Sequence, residues 1–499
     1  MMLQELIHHI PIKETIGPLG VKIQGITHDS RQVKPGYLFV AIPGTQQDGQ
    51  EFVSDALKKG ASAIVSTKKL ELPAKIPQLI VDKPREVLAL IAAEFYGHPS
   101  RQMTVIGVTG TNGKTTLTYL LESILNEAGR KPAVFGTINY RFAGKIYPAA
   151  NTTPESCELQ RLFAEVLQQG ATDVVMEVSS HALMMERVAG IHFDVGIFTN
   201  LSQDHLDFHK DMDDYFDAKR RLFDHYLPQS EKKDKYAVLN MEDPRSEMIF
   251  EKASIRCLRA GLTGPYEIVC RSYRLSEEGI TAQVEAGLDS LEIRSSLIGQ
   301  FNLENILLVI GASLDLGIPA NAVQRGIEKV TGVPGRLERI ENDRGFHIFV
   351  DYAHTPDALA HVGENLRKLA RGRLITIFGC GGDRDRAKRP MMGREAALRS
   401  DWIIVTSDNP RSEDPEKIVE EILPGIEELG FPSSRLLSIL DRKAAIQKGL
   451  EIARRGDVLL IAGKGHEDYQ ILGQKKIHFS DQEVLRELLK NKKNENDGE

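Results

Sequence analysis

The sequence has no CxxC pair. Its four cysteines, Cys157, Cys257, Cys270 and Cys380, are scattered, which argues against a disulfide framework or a structural zinc site. It has no apolar run long enough to cross a bilayer. The opening Met1-Met2-Leu3-Gln4-Glu5 lacks the basic-then-apolar order of a secretory signal. Positive charge is not in excess, since 63 Lys and Arg face 70 Asp and Glu for a net charge of -7. That is not the footprint of a nucleic-acid binder. Internal repeats and low-complexity segments are also missing. A soluble cytoplasmic chain with no nucleic-acid and no membrane partner is the expectation.

At 499 residues, 41% of them hydrophobic, the chain can fill two to four cores. Its pattern changes twice, which predicts an α/β protein of three domains. Residues 1–100 carry short β-like runs such as Tyr37-Leu38-Phe39-Val40-Ala41 between Pro-Gly pairs, the mark of a small mixed α/β domain. Residues 101–332 open with an apolar strand at 103–108, a Gly-rich loop and an amphipathic helix at 115–128. Further strands at 173–178 and 194–199 follow, with a closing helix at 303–316. Continuous apolar strands suit a parallel sheet buried on both faces. Residues 333–499 alternate strands (347–350, 374–378, 402–405, 458–461) with helices, a Rossmann-like order. The last dozen residues, rich in Lys, Asn, Asp and Glu, are expected to fray.

The sharpest motif is Thr109-Gly110-Thr111-Asn112-Gly113-Lys114-Thr115-Thr116. Glycines let backbone N–H groups turn toward phosphate oxygens, Lys114 adds charge, and the Thr115 hydroxyl can ligate Mg²⁺ at a helix N-terminus. Val108 stands where the strict phosphate-loop pattern has its first glycine, with Gly107 and Gly110 on either side. An incidental Gly-Lys-Thr turn would not need to sit between strand and helix. Glu177, at a strand end, and His205, in Asn200-Leu201-Ser202-Gln203-Asp204-His205-Leu206-Asp207-Phe208-His209, are candidate metal ligands. Taken singly, Glu177 reads equally as a capping or surface residue, and a histidine such as His205 is more often a packed or surface one. Lys219 lies on the charged face of an amphipathic helix, and spacing alone makes it a solvated lysine.

In the last region each apolar strand runs into chemistry-bearing residues. These are Asp351-Tyr352-Ala353-His354, Gly379-Cys380-Gly381-Gly382-Asp383-Arg384, Ser407-Asp408-Asn409-Pro410-Arg411 and Gly463-Lys464-Gly465-His466-Glu467. A parallel sheet gathers such ends on one edge. An amino acid, carrying ammonium and carboxylate, fits an edge with both signs of charge.

These motifs, with Gly299-Gln300-Phe301-Asn302 and Pro334-Gly335-Arg336, resemble the signature set of the Mur ligases in order along almost the whole chain. Gln300 departs from the residue many relatives carry before Phe-Asn. The resemblance implies an ATP-dependent ligase of peptidoglycan synthesis that works through an acyl-phosphate with Mg²⁺, and a monomer. It is nearest to the members that add the third peptide residue, so UDP-N-acetylmuramoyl-L-alanyl-D-glutamate and meso-2,6-diaminopimelate are the implied substrates. The L-lysine-adding relative, a phosphate-loop kinase or ATPase without ligation, and an inert nucleotide-binding scaffold are the alternatives. Carried over residue by residue, Gly110, Thr111, Asn112, Gly113, Lys114, Thr115, Thr116, Asn302, Arg336 and Asp351 serve ATP. Ser30, Thr152, Thr153, Ser179 and Arg187 serve the sugar nucleotide. Arg384, Asp408, Asn409, Pro410, Arg411, Gly463 and Glu467 serve the amino acid. Lys114, Lys219, Glu177 and His205 are the catalytic set. Thr115, Glu177, His205 and Lys219, the last as a carbamate, are the metal set, against the solvated reading of Lys219.

Overall fold

A computed structural model describes residues 1–44, 48–206 and 208–496, with side chains described as far as 490. Asp207 and the final three residues of the expected frayed tail lie outside the described residues. The chain divides into two compact units, 1–110 with 125–198 and 216–259, and 111–124 with 199–215 and 260–499.

The first unit holds two sheets. In one, Gly25–Thr27, Tyr37–Val40, Ala63–Ser66 and Gln78–Ile80 run parallel, and Glu14–Ile16 is added antiparallel at the edge. Leu38, Val40, Ala63, Val65 and Leu79 pack there against Val87, Leu88 and Ile91 of the helix Pro84–Phe95. The expected mixed α/β character is present. In the other sheet Thr104–Thr109 lies between Asp173–Glu177 and Val195–Phe198, with Pro132–Phe135 and Tyr236–Asn240 outside them, all parallel. Val105, Ile106, Val108, Val174, Val175, Val195 and Ile197 are fully buried, as strands covered on both faces must be. Successive crossovers leave the central strand on opposite sides. Its C-terminal end is therefore a switch point, where ligands settle in open α/β sheets.

The second unit contains an antiparallel meander, Ile268–Ser276, Gly279–Ala286 and Asp289–Ser295. It also contains a sheet in the order Glu338–Ile340, His347–Asp351, Val458–Ala462, Leu374–Phe378, Trp402–Val405, Leu436–Ser438. All neighbours in that sheet are parallel except the first pair. The four strand ends singled out in the sequence thus do share one edge. Two expectations need correction. The helix expected from 303 begins at Gln300, because Gly299 caps it with φ 88. The tail expected to fray is helical over Asp481–Asn496. Among the described residues no helix is long and apolar enough to cross a membrane.

The N-terminus of that last helix is fastened by charge. Arg442 donates from Nε and Nη2 to the two Asp481 carboxylate oxygens, each at 2.7 Å, and from Nη2 to the Ala462 carbonyl at 3.0 Å. Neither side chain has any exposed surface. Removing one partner of such a pair strands the other charge without water, at a cost of about 3–5 kcal/mol. Asp481→Ala is expected to lower the stability of this sheet by that amount. Trp402, the single tryptophan, lies in the same sheet, so its fluorescence during urea denaturation reads the shift.

Candidate functional site

The phosphate-loop motif leaves the strand Thr104–Thr109 and enters the helix Lys114–Glu127. From Thr111 onward it is laced to the segment that begins at Thr199. Thr111 N donates to Asn200 O at 2.8 Å, Asn112 N to Asn200 Oδ1 at 2.9 Å, and Thr199 Oγ1 to Asn112 O at 2.6 Å. Ser202 N donates back to Thr111 Oγ1 at 3.0 Å. The amides of Thr111 and Asn112 are therefore spent within the protein, and the N-terminus of the helix Lys114–Glu127 follows directly. Gly113 has φ 87, and a Cβ there would meet Asn305 Oδ1 at 2.5 Å. Asn305 in turn donates to Asn302 Oδ1 at 3.2 Å, which places Asn302 behind the loop. Lys114 Nζ folds back on Thr111 O at 2.7 Å, and Arg336 Nη2 reaches Thr115 Oγ1 at 3.3 Å.

Around this loop lie two groups that the sequence reading left without a role. Asp204 accepts from His205 N at 2.8 Å and sits 3.4 Å from His205 Nε2. Burial pushes the Asp204 carboxyl up, but His205, His354 and Lys114 together hold it below its ordinary value. His205 itself has φ 54, a left-handed conformation that costs energy in a residue with a Cβ. Gln203 N donates to Asp357 Oδ2 at 2.9 Å, at the start of the helix Pro356–Leu369. His354 Nδ1 lies 2.8 Å from Tyr352 O, and burial lowers its pKa. The signal for both was present, since each is a titratable residue within a strand-end cluster. Asp351 accepts from Leu337 N and Ala353 N at 2.7 Å each, and burial raises its carboxyl against the pull of Arg336.

Farther along the same edge, Asp408, Asn409, Lys464 and Glu467 form one network. Asn409 Nδ2 donates to Glu467 Oε2 at 2.9 Å, and Lys464 Nζ to the same oxygen at 3.0 Å. Gln470 Nε2 donates to Asp408 O at 2.7 Å, which ties the hairpin Tyr469–Leu472 and Lys475–His478 to the site. Arg411 (φ 52) is fixed through its backbone, which bonds Ile471 O at 3.1 Å and Gly473 N at 2.8 Å. Its Nη1 donates to Gly382 O at 2.7 Å, and among the described residues Nε and Nη2 donate to nothing. A Cβ on Gly381 would stand 2.9 Å from Arg411 Nη1 and 3.7 Å from Arg384 Cγ. The two cations thus flank one backbone step that has no side chain. Gly463, with φ 114, lies close to the Asp408 carboxylate, and Pro410 is buried.

In the first unit Thr152, Thr153, Ser179 and Arg187 are brought together. Thr153 Oγ1 donates to Glu177 O at 2.8 Å and accepts from Ser179 N at 3.1 Å, while Arg187 Nη1 donates to Thr153 O at 3.0 Å. Arg187 also pairs with Glu155 at 2.6 Å. The Glu177 carboxylate accepts from Thr137 N at 3.0 Å and Thr137 Oγ1 at 2.8 Å, and Thr137 Oγ1 lies 3.1 Å from Thr152 Oγ1. Ser30 opens the turn Ser30–Gln32. Its neighbour His28 lies 3.8 Å from Cys157 Sγ, and burial, the largest influence on it, lowers its pKa. Thr137 and Glu155 escape the sequence reading because no motif marks them. Lys219 is 1% exposed and donates to Gly110 O at 2.7 Å, so the solvated reading from spacing alone is wrong. Among the described residues no three His, Cys, Asp or Glu side chains gather as a metal cluster.

Three family models and many known proteins match the chain. The Mur ligase family catalytic domain matches residues 22–96, the Mur ligase middle domain 108–313, and the Mur ligase glutamate ligase domain 335–465. The UDP-N-acetylmuramoyl-L-alanyl-D-glutamate–2,6-diaminopimelate ligase of Syntrophomonas wolfei is 45% identical over 99% of this chain and 100% of its own length. The ligase of the same name from Geobacter metallireducens is 45% identical over 97% and 98%. A solved structure of a ligase so named superposes with a TM-score of 0.70 at 32% identity, covering 99% of both chains. MurF from Acinetobacter baumannii shares the fold at a TM-score of 0.65 and 20% identity, covering 98% of both.

His466 supplies a pH test. Burial, reinforced by Arg336, His354 and Lys464, lowers its pKa from 6.5 to about 3. The unfolded chain takes the proton below pH 6.5 and the folded one does not. The stability due to the neutral ring is therefore present above 6.5 and lost as pH falls toward 3, with a slope of about 1.4 kcal/mol per pH unit at most. His466→Gln should show a shallower acid loss than the wild type in denaturation curves taken between pH 7 and pH 4.

Proposed function

The chain belongs to the Mur ligase family, and we propose that it is the member that joins meso-2,6-diaminopimelate to UDP-N-acetylmuramoyl-L-alanyl-D-glutamate at the expense of ATP. The observation that carries this reading is the strand-end edge of the second unit. There Arg411, whose Nε and Nη2 donate to nothing among the described residues, reaches Asn409 O through Nη1 at 3.5 Å beside the Asp408, Asn409 and Glu467 network. Diaminopimelate differs from lysine by a second carboxylate at its far end, and a planar Arg fork binds both oxygens of a carboxylate. A kinase or ATPase without ligation has no use for such an edge, and an inert scaffold has no use for Lys114, Thr115, Glu177 and His205.

The reaction proceeds in two steps. The D-glutamate carboxylate of the acceptor takes the γ-phosphoryl group of ATP. The amine of diaminopimelate then attacks the acyl carbon, and the tetrahedral intermediate expels phosphate. Lys114 and the helix N-terminus offset charge developing on the transferred phosphoryl group. Mg²⁺ would supply further neutralisation at the phosphates. The Thr115 hydroxyl and the Glu177 carboxylate are the oxygen donors this hard ion takes, with His205 and a Lys219 carbamate completing the family's set. Buried Lys219 suits a carbamate, because its amine is sheltered and the carbamate would add the negative charge a cation needs.

Residues 1–100 hold the sugar nucleotide with Ser30, helped by Thr152, Thr153, Ser179 and Arg187. Residues 101–332 hold ATP, with Asn302, Arg336 and Asp351 contributing. Residues 333–499 hold the amino acid through Arg384, Asp408, Asn409, Pro410, Arg411, Gly463 and Glu467. The three family matches, at 22–96, 108–313 and 335–465, support this division. The chain acts as a cytoplasmic monomer.

ADP and phosphate are expected to appear only when acceptor and diaminopimelate are both supplied, and L-lysine should not replace diaminopimelate. Arg411→Ala should weaken diaminopimelate use by about one to three orders of magnitude while ATP affinity holds. Equal turnover of L-lysine, or intact diaminopimelate kinetics in the mutant, would sink the specificity. Separately, thorough CO₂ depletion should reduce activity and bicarbonate restore it. Insensitivity to both would remove the carbamate at Lys219.

A further inference from the structure

The amino-acid edge contains a cation to which the reading above gives no task. The Lys464 side chain has no exposed surface. Its Nζ lies 3.0 Å from Glu467 Oε2, 3.4 Å from Asn409 Oδ1 and 3.5 Å from Asp408 Oδ1. It also stands 5.4 Å from the centre of the Tyr469 ring. A group sealed in this way does not touch a ligand that enters from solvent, so whatever it does for binding it does through its neighbours.

Those neighbours share out their hydrogen-bonding capacity unevenly. Glu467 Oε2 is fully engaged, by Lys464 Nζ and by Asn409 Nδ2 at 2.9 Å. Glu467 Oε1 has the Tyr469 hydroxyl at 3.4 Å, a long bond. Asn409 is itself immobilised, since its Oδ1 accepts from Ile471 N at 3.0 Å. Resting on the assignment of 408–411 and 463–467 to the amino acid, we propose that Lys464 is a positioning residue that pins Glu467 by one oxygen and so presents the other to the ammonium of the incoming amino acid. Asp408 and Glu467 carry two negative charges and Lys464 one positive. The trio keeps one net negative charge, the complement of a single ammonium. Without the buried cation the two carboxylates repel each other in a buried setting, and Glu467 turns away. That removes the acceptor that the ammonium needs and does not bear on ATP.

The test is a kinetic double-mutant cycle on the full chain, with meso-diaminopimelate as the varied substrate. Lys464→Met keeps an unbranched side chain of similar bulk. It should raise the KM for diaminopimelate about ten- to a hundredfold, with kcat and the KM for ATP within about threefold. Placed on Glu467→Gln, Lys464→Met should add less than about threefold, because the group it acts through is already neutral. Lys464→Arg, which returns the charge, should recover part of the loss. A folded Lys464→Met with an unchanged KM for diaminopimelate overturns the proposal. So does an equal rise in the KM for ATP, or an undiminished effect on the Glu467→Gln background. Lys464→Gln stands in where the Met variant does not fold, and failure of both to fold overturns the proposal in favour of a purely structural ammonium. A wild type that releases no ADP with any amino acid defeats the function itself, whereas wild-type turnover beside an unaltered mutant KM defeats the positioning role alone.

Discussion

Parallel strands all point one way, and the chemistry of this chain rests on that constraint. A crossover must carry the chain back after each strand, so every strand end falls on the same edge, and whatever residues follow the strands become neighbours. In the second unit, strands that end at Asp351, Phe378, Val405 and Ala462 deliver residues 351–354, 379–384, 406–411 and 463–467 to one border. Sequence distances of dozens of residues shrink to hydrogen-bond lengths. Asn409 meets Glu467 at 2.9 Å although 58 residues separate them. The same rule puts the phosphate loop beyond Thr109 and the Asn200 segment beyond Phe198, strands that pair directly.

The apolar strands were readable because burial on both faces leaves an unbroken run of Val, Ile, Leu and Phe. The strand-end clusters were readable because polar residues follow such runs without a break. Other features resisted for physical reasons. Lys219 lies in a helix with a charged face, and that face was equated with solvent. It instead meets the Gly110 carbonyl within the protein, because a polar face can be satisfied by backbone as well as by water. Thr137 and Glu155 owe their places to tertiary packing, and local spacing carries no trace of it. The hairpin Tyr469–Leu472 with Lys475–His478 did leave a trace, Gly473 between two short alternating runs. Those runs are short and stand beside the louder Gly-Lys-Gly-His-Glu motif.

Charge along this strand-end edge is graded by depth. Arg442 and Lys464 have no exposed side-chain surface and meet carboxylates directly. Arg389 is equally buried and meets Glu413 and Glu421. Arg411 is half-buried, with one nitrogen committed to Gly382 O, and Arg384 is exposed. Cations sealed against carboxylates inside the protein hold the framework, because a buried charge is tolerable only when it is paired.

That grading also accounts for the helix Asp481–Asn496. Asp481 pairs with Arg442, whose Nη2 holds the Ala462 carbonyl, and Gln482 Nε2 donates to Gly465 O at 2.9 Å. Two successive residues of the helix therefore clamp the chain on both sides of Lys464. A glycine-flanked loop such as 463–465 would otherwise sample many conformations, since glycine carries the largest backbone entropy. Ordering it in advance means that a ligand need not supply that ordering itself, and affinity depends on such costs as much as on contacts. The C-terminal helix, remote in sequence from every strand of that sheet but Val458–Ala462, is thus part of what keeps the strand-end edge in shape.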